Sequence, residues 1–288
     1  MDLVGERQGA TLTEVDCFSP HFGGVAANVA LVAARAGASV ALAGGAGDDP
    51  WGRWLRNRLR AARVDLSLFE LLAGLQTAVA FVTVDDRGEP SYVLHGDRAD
   101  AVVAALEGRL EAAVRRSAAV FISTNTLVGV RERELTMGAR ELAFALGRPV
   151  IFEANLRLHR WRSQDDARAA AAGCLPGSLL VRANAAEAQL ITGEPDPGHA
   201  AEAIVRAGAE LVLVTLGADG AMLRGALRAE VPAVGCRVVN TAGAGDVLTG
   251  TLLAALACDQ FEPAAVKAAL PEAVAAAARA CERWGAVD

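Results

Sequence analysis

Lysine is almost missing from this chain. Among 28 basic residues in 288, the single lysine is Lys267, inside the helical stretch PAAVKAAL. A G-x-x-x-x-G-K-[ST] phosphate loop is therefore excluded, and a Schiff-base lysine nearly so. His21, His95, His159 and His199 lie far apart and form no H-E-x-x-H pair, which removes a histidine-rich metal site. Cys17, Cys174, Cys236, Cys258 and Cys281 are scattered without C-x-x-C spacing. That argues against a disulfide scaffold or a thiolate zinc site, and a reducing cytoplasm is expected. The start MDLVGERQGA has no cationic segment followed by an apolar one, and the longest apolar runs are Ala-rich helices carrying charges. The expectation is a protein neither exported nor membrane-spanning. No basic block stands out against a net charge of −6, so no nucleic-acid surface is expected and the partner should be a small molecule.

What is present suits a large α/β core: 53% of residues are hydrophobic and 22% charged. Short β-rich runs alternate with Ala- and Leu-rich helical periods, the pattern of a mostly parallel sheet covered by helices. Strands are predicted over 38–44, 118–123, 148–154, 178–183 and 210–216. Helices are predicted over 25–36, 50–62, 100–116, 131–146, 163–173, 185–192, 199–207, 245–257 and 262–284, the last divided by Pro271. Two stretches break the alternation. TAVAFVTV, DDRG and EPSYVL (77–94) read as an antiparallel hairpin that, with TLTEVDCF (11–18), would make a small lid sheet; GAMLRGALRAEVPA (220–233) suggests a second hairpin. The chain is read as one domain over 1–288, with lid strands from about 8–20 and 68–97.

Two motifs carry chemistry. In NTAGAGD (240–246), an apolar run turns into a helix through Gly243, Ala244 and Gly245, and Asp246 falls in the first helical turn. A glycine-rich helix entrance presents free N–H groups to an anion, and an ionised carboxylate beside it can take a proton from an attacking hydroxyl. The same residues also suit an ordinary capped helix. In HFGGVAANVALVAARAG (21–37), Gly23 and Gly24 open a helix and Asn28 lies in its first turns, facing either a cleft or solvent.

Together these motifs resemble the two signatures of the ribokinase-like (PfkB) carbohydrate kinase family. Four further segments match in order: DDPWGRWLRNRLRAARVDLS (48–67), EANLRLHRW (153–161), RANAAE (182–187) and VTLGADGA (214–221). The resemblance implies a three-layer α/β/α ribokinase-like fold with a small β-sheet lid, and ATP-dependent phosphorylation of an alcohol on a sugar or sugar acid. By that match Asp246 is the catalytic base and Gly243, Ala244 and Gly245 are the anion hole. Arg157 reaches the transferred phosphate or an acidic substrate group. Asn184 and Glu187 match the Asn-x-x-Glu motif, with Glu187 holding Mg²⁺ through water. Thr215, Gly217 and Gly220 match nucleotide-binding positions, and Gly23, Gly24, Asn28 and His95 are carried over as sugar-facing. Phosphoryl transfer needs positioning and charge stabilisation, so a chain without a P-loop lysine is compatible.

Three departures stand out. Family members carry a sugar-binding Asp in a segment like GE-x-x-x-D; here GERQGATLTEVD keeps Glu6, puts Ala10 near the expected carboxylate, and places Glu14 and Asp16 in the lid. Asn240 replaces an Asp, which argues against monovalent-cation dependence, and Glu153 stands where fructokinase-like members have Asp. The local pattern leans to fructokinase and 2-keto-3-deoxygluconate kinase branches. A nucleoside kinase of the same fold and a noncatalytic nucleotide- or sugar-binding protein remain as alternatives, and exposed lid strands suggest a homodimer.

Overall fold

A computed structural model describes residues 1–96, 99–285 and 287. In chain order its elements are β1 (Asp2–Gln8), β2 (Ser19–His21), α1 (Val25–Arg35), β3 (Gly44–Gly47), α2 (Pro50–Ala61), β4 (Phe69–Leu72), β5 (Val79–Val84), β6 (Pro90–His95), α3 (Ala99–Leu106) and α4 (Leu110–Arg116). There follow β7 (Val120–Ser123), α5 (Val130–Ala145), β8 (Val150–Glu153), α6 (Gln164–Ala172), β9 (Leu180–Asn184), α7 (Ala185–Thr192), α8 (Pro197–Arg206) and β10 (Leu211–Thr215). The remainder is β11 (Ala221–Gly225), β12 (Ala229–Val231), α9 (Ala244–Cys258) and α10 (Pro263–Cys281). The chain is α/β and divides into two compact units: 1–106, 234–258 and 271–288 in the first, 107–233 and 259–270 in the second.

The second unit is built on a six-stranded sheet of order β12-β11-β10-β9-β8-β7. Strands β7 to β10 are parallel, with Val120 opposite Val150, Ile151 opposite Leu180, and Leu211 opposite Leu180. β11 and β12 continue antiparallel, as the 220–233 hairpin predicted. VIFE and LVLV are buried throughout, the unbroken apolar pattern of parallel strands covered on both faces. Val150, Phe152, Val181, Val212 and Val214 share one core with Ala188, Ala200 and Ile204 of α7 and α8.

The first unit holds a four-stranded sheet of order β2-β1-β5-β6 and a two-stranded parallel sheet of β3 and β4. β1 runs parallel to β5, while β2 and β6 pair antiparallel on the outside. Phe22, Leu31, Leu42, Leu55, Leu59 and Val247 pack into its core. Gly250 of α9 lets that helix approach α1: a Cβ there would lie 2.9 Å from the Val29 carbonyl oxygen.

Several expected elements differ. Residues 11–18 do not form a strand; the Glu14 carboxylate accepts from the Thr11 N–H and hydroxyl and bends the segment into a turn. The strand expected over 38–44 lies at Gly44–Gly47, with only an isolated bridge from Ala41 to Asp65 before it. GGAG has low strand propensity, but Gly47 is required, since a Cβ there would sit 2.2 Å from the Leu75 carbonyl oxygen. The helix expected over 100–116 is two, α3 and α4, interrupted near Gly108 at φ 76°. Pro271 does not divide α10, which runs unbroken; the ring removes one helical hydrogen bond, and buried Leu270, Ala273 and Val274 hold the helix around it. Strand β1 was not foreseen, because DLVGERQ buries only Val4 and Gly5. Asp97, within the expected lid range, and Asp288, within the expected domain, lie outside the described residues.

Candidate active site

In the first unit, α9 begins at Ala244 and brings Asp246 into its first turn. The segment before it, 232–238, is not a strand; Val234 and Val238 are exposed. Hydrogen bonds hold it instead. Gln8 Nε2 donates to the Val239 carbonyl at 2.8 Å, Thr241 N–H donates to Gly88 O at 2.8 Å, and Val239 and Asn240 N–H both donate to Cys281 O. Buried Asn240 accepts from Ala242 N–H through Oδ1 at 2.9 Å and donates from Nδ2 to Trp284 O at 2.6 Å. Gly243 then turns the chain at φ 76°, a left-handed conformation that glycine adopts without strain. No backbone carbonyl among the described residues accepts from the Gly243 or Gly245 N–H, while Ala244 N–H is used by Thr241 O.

The Asp246 carboxylate is buried, 6% exposed, and its Oδ2 accepts from Asn28 Nδ2 at 2.7 Å. Asn28 comes from α1, is 4% exposed, and its Oδ1 has no hydrogen-bond partner among the described residues. Gly24 caps α1 at φ 116°, and its carbonyl accepts the Asn28 N–H. Asn28 thus faces Asp246 and not solvent, which resolves the two readings of GGVAAN.

A carboxylate does lie beside the Gly-Gly turn, and it is Asp2. A Cβ built on Gly23 would meet Asp2 Oδ1 at 2.2 Å and Oδ2 at 2.5 Å, so the Asp2 carboxylate rests directly on that glycine. Antiparallel pairing of Asp2 with His21 brings it there. The candidates near residue 10 are otherwise engaged: Ala10 is buried, Glu14 caps its own turn, and Glu6 pairs with His21 at 3.0 Å. Nothing in the sequence marks Asp2, which opens β1; its adjacency to Gly23 is a pairing effect. His95 ends β6, exposed, with its ring edge-on to Phe81 at 5.6 Å, and Phe18 meets the same ring at 5.2 Å.

In the second unit, Asn184 ends β9 and caps α7. Its Oδ1 accepts from Glu187 N–H at 2.8 Å, and Glu187 Oε2 accepts from Asn184 N–H at 2.9 Å, a reciprocal capping box. Glu187 Oε1 also accepts from Leu156 N–H at 2.8 Å. The carboxylate is therefore oriented by backbone N–H groups from two segments and is not a solvated helix-start residue. Asn155, at φ 34°, turns the chain out of β8 toward Arg157, which is half-buried. Thr215 ends β10; Gly217 follows at φ 59° and Gly220 at φ 94°. Gly220 admits no side chain, because a Cβ would stand 2.1 Å from the Val231 carbonyl oxygen. Among the described residues no three His, Cys, Asp or Glu side chains gather to hold a metal.

A family model described as pfkB family carbohydrate kinase matches residues 1–288. Fructokinase-1 of Oryza sativa subsp. japonica is 31% identical over 256 residues, covering 88% of this chain and 79% of that protein. Fructokinase from Vibrio cholerae O395, solved with fructose, ADP and calcium, superposes with a TM-score of 0.83 at 25% identity over 99% of this chain and 91% of that one. Aminoimidazole riboside kinase from Salmonella enterica, solved with aminoimidazole riboside and an ATP analogue, gives a TM-score of 0.81 at 26% identity, over 99% and 92%. The chain belongs to the pfkB family of carbohydrate kinases, with the ribokinase-like α/β fold. It is a sugar kinase of the fructokinase-like branch, and its reaction is ATP-dependent phosphorylation of a sugar. No helix among the described residues is long and apolar enough to cross a membrane.

Proposed function

We propose that this kinase phosphorylates a hydroxyl of a fructose-like ketose or a 2-keto-3-deoxy sugar acid, with Asp246 as general base. The observation that carries the reading is the buried 2.7 Å bond from Asn28 to Asp246, in the helix turn that follows Gly243, where among the described residues no backbone carbonyl accepts from the Gly243 or Gly245 N–H. The Asp246 carboxylate, oriented by the amide, takes the proton of the sugar hydroxyl as it attacks. The 243–245 backbone stabilises charge on the transferring phosphoryl group. Asp2, Gly23, Gly24, Asn28 and His95 hold the sugar, the Asp2 carboxylate accepting hydroxyl protons and unpartnered Asn28 Oδ1 accepting another. The β2-β1-β5-β6 sheet serves as the lid over that sugar.

Thr215, Gly217 and Gly220 bind ATP, and Arg157 contacts the transferred phosphate. Asn184 orients Glu187, which holds Mg²⁺ through water; the ion supplies charge neutralisation on the phosphates. Neutral Asn240, whose Nδ2 donates to Trp284 O and whose Oδ1 accepts from Ala242 N–H, argues against a monovalent-cation requirement. The chain works as one kinase domain over the span of the family match. Two further parts of the reading are a cytoplasmic location, supported by five free cysteines, and a homodimer through edge strand β6, where Val93 and Leu94 are 42% and 44% exposed.

An ATP-coupled screen of hexoses, ketohexoses, pentoses, sugar acids and nucleosides tests the substrate class. The highest kcat/KM is expected with a ketohexose or sugar acid. A nucleoside as best substrate would instead favour the riboside-kinase reading that the Salmonella enterica similarity supports. Binding without turnover for every compound would leave a noncatalytic sugar- or nucleotide-binding protein. A single mass of one chain at micromolar concentration would remove the dimer.

A further inference from the structure

We propose that Arg182 is a positioning residue for the nucleotide: its guanidinium turns the Thr215 hydroxyl so that the hydroxyl hydrogen is offered to a phosphate oxygen. This rests on Thr215 facing ATP, as read above.

Arg182 lies in β9, flanked by β8 and β10. Its Nη1 donates to Glu153 Oε1 at 2.8 Å, and its Nη2 donates to Thr215 Oγ1 at 3.1 Å. The register explains the reach. Arg182 stands opposite Glu153 on one side and Leu213 on the other, and Thr215, two residues beyond Leu213, shares that face of the sheet. Glu153 is fully buried, and the Arg182 side chain is 10% exposed.

A guanidinium has donors and no acceptor, so Thr215 Oγ1 must accept from it. One hydroxyl lone pair is then committed and the hydrogen is left for another acceptor. Thr215 is the last residue of β10 and only partly covered, at the carboxyl end of a parallel strand, where ligands of open α/β sheets bind. Its β-branched side chain has few χ1 choices, so the Arg182 bond selects among very few hydroxyl orientations. Because Glu153 balances the Arg182 charge, orientation is the main contribution. The planar fork also matters, since one group bridges acceptors on two flanking strands, which a lysine ammonium does not do in a fixed plane.

The test is a double-mutant cycle on the full chain with Thr215→Val, Arg182→Lys and the pair combined, reading the KM of ATP, the KM of sugar and ATP affinity by calorimetry. Thr215→Val should weaken ATP about tenfold, as loss of a hydrogen bond to a charged group does. The sugar KM should stay unchanged, and Thr215→Ser should restore ATP binding. Arg182→Lys keeps a positive charge against Glu153 and should also weaken ATP, yet add nothing once Thr215 is Val. If Arg182→Lys fails to fold, the apolar pair Glu153→Leu with Arg182→Met takes its place in the cycle and should behave alike. Effects that multiply in the combined variant, or a lowered melting temperature with an unchanged ATP KM, would overturn the positioning role and leave a structural ion pair. Unchanged ATP affinity in Thr215→Val would overturn the Thr215 reading and the inference with it, while sugar-dependent ATP turnover by the same variant shows whether the kinase assignment stands.

Discussion

Asn28 and Asp246, 218 residues apart, meet in the first unit through a 2.7 Å hydrogen bond between two buried side chains. The donor is a neutral amide and the acceptor a carboxylate, so the bond is charge-assisted and orients the carboxylate through Oδ2. Two helices determine the geometry: α1 supplies the amide four residues past its cap at Gly24, and α9 supplies the carboxylate in its first turn.

Asp246→Asn should preserve the fold and ATP binding while lowering kcat by about 10²- to 10⁴-fold, the usual worth of a general base. Steady-state kinetics with a calorimetric ATP titration checks this. Wild-type turnover in that variant would remove Asp246 from the base role.

Asn28→Ala should lower kcat by about tenfold, because the Asp246 carboxylate loses a charge-assisted hydrogen bond that orients it. Steady-state kinetics checks this; an unchanged kcat with only a raised sugar KM would mean that Asn28 touches sugar but does not position the carboxylate.

Asp2→Asn should lower kcat/KM for the sugar by about 10- to 100-fold and leave the KM of ATP unchanged, because a buried hydroxyl loses its strong acceptor. Gly23→Ala should act in the same direction, since the added methyl would displace the Asp2 carboxylate it overlaps. A matching rise in the ATP KM in both variants would speak against a sugar contact.

Activity should be nearly the same in sodium, potassium and tetramethylammonium salts. Asn240 has no charge to balance, and its two side-chain atoms are taken by Ala242 N–H and Trp284 O. Strong potassium stimulation would refute this. Asn240→Asp should loosen the loop, since the 2.6 Å bond to Trp284 O needs a donor that a carboxylate lacks.

Asp49 links the start of α2 to the segment before β5. Burial raises its carboxyl pKa, but hydrogen bonds from Gly52 N–H, Thr77 N–H and the Thr77 hydroxyl outweigh that and hold it below the ordinary Asp value. A depressed folded pKa contributes stability above the unfolded pKa and loses it as pH falls through the folded one. Asp49→Ala should therefore cost about 0.5–2 kcal/mol at pH 7, as for a lost helix cap. The gap from wild type should begin to narrow below about pH 4, near the ordinary Asp pKa, and close as pH falls through the lower folded pKa. Urea unfolding at a series of pH values from 7 downward measures both; a gap that does not narrow at all as the pH is lowered would mean packing, not charge, is responsible.

Much of the architecture was legible in local chemistry. The runs that became β8 to β10 needed only their hydrophobicity to be recognised, because residues 150–153, 180–183 and 211–214 are buried on both faces of those strands. NTAGAGD and GGVAAN were legible because glycine at a helix entrance is a backbone requirement, visible without knowing what lies opposite. β3 was harder to place, since GGAG is chosen for close approach to Leu75 and Thr77 and not for strand propensity.

Residue order alone excluded a phosphate-loop lysine, carried the α/β pattern and the resemblance to a carbohydrate kinase family, and put Asp246 in the first turn of a helix, since those features are set within short stretches by backbone freedom and side-chain type. Only tertiary contact decided how Asn28 is used, that Asp2 rests on Gly23, that Arg182 reaches Thr215, and that Asn240 is spent on Trp284. Each of these depends on strand register or helix packing between distant segments, and a polar side chain carries no mark of its partner until the fold brings the two within about 3 Å, the range of a hydrogen bond.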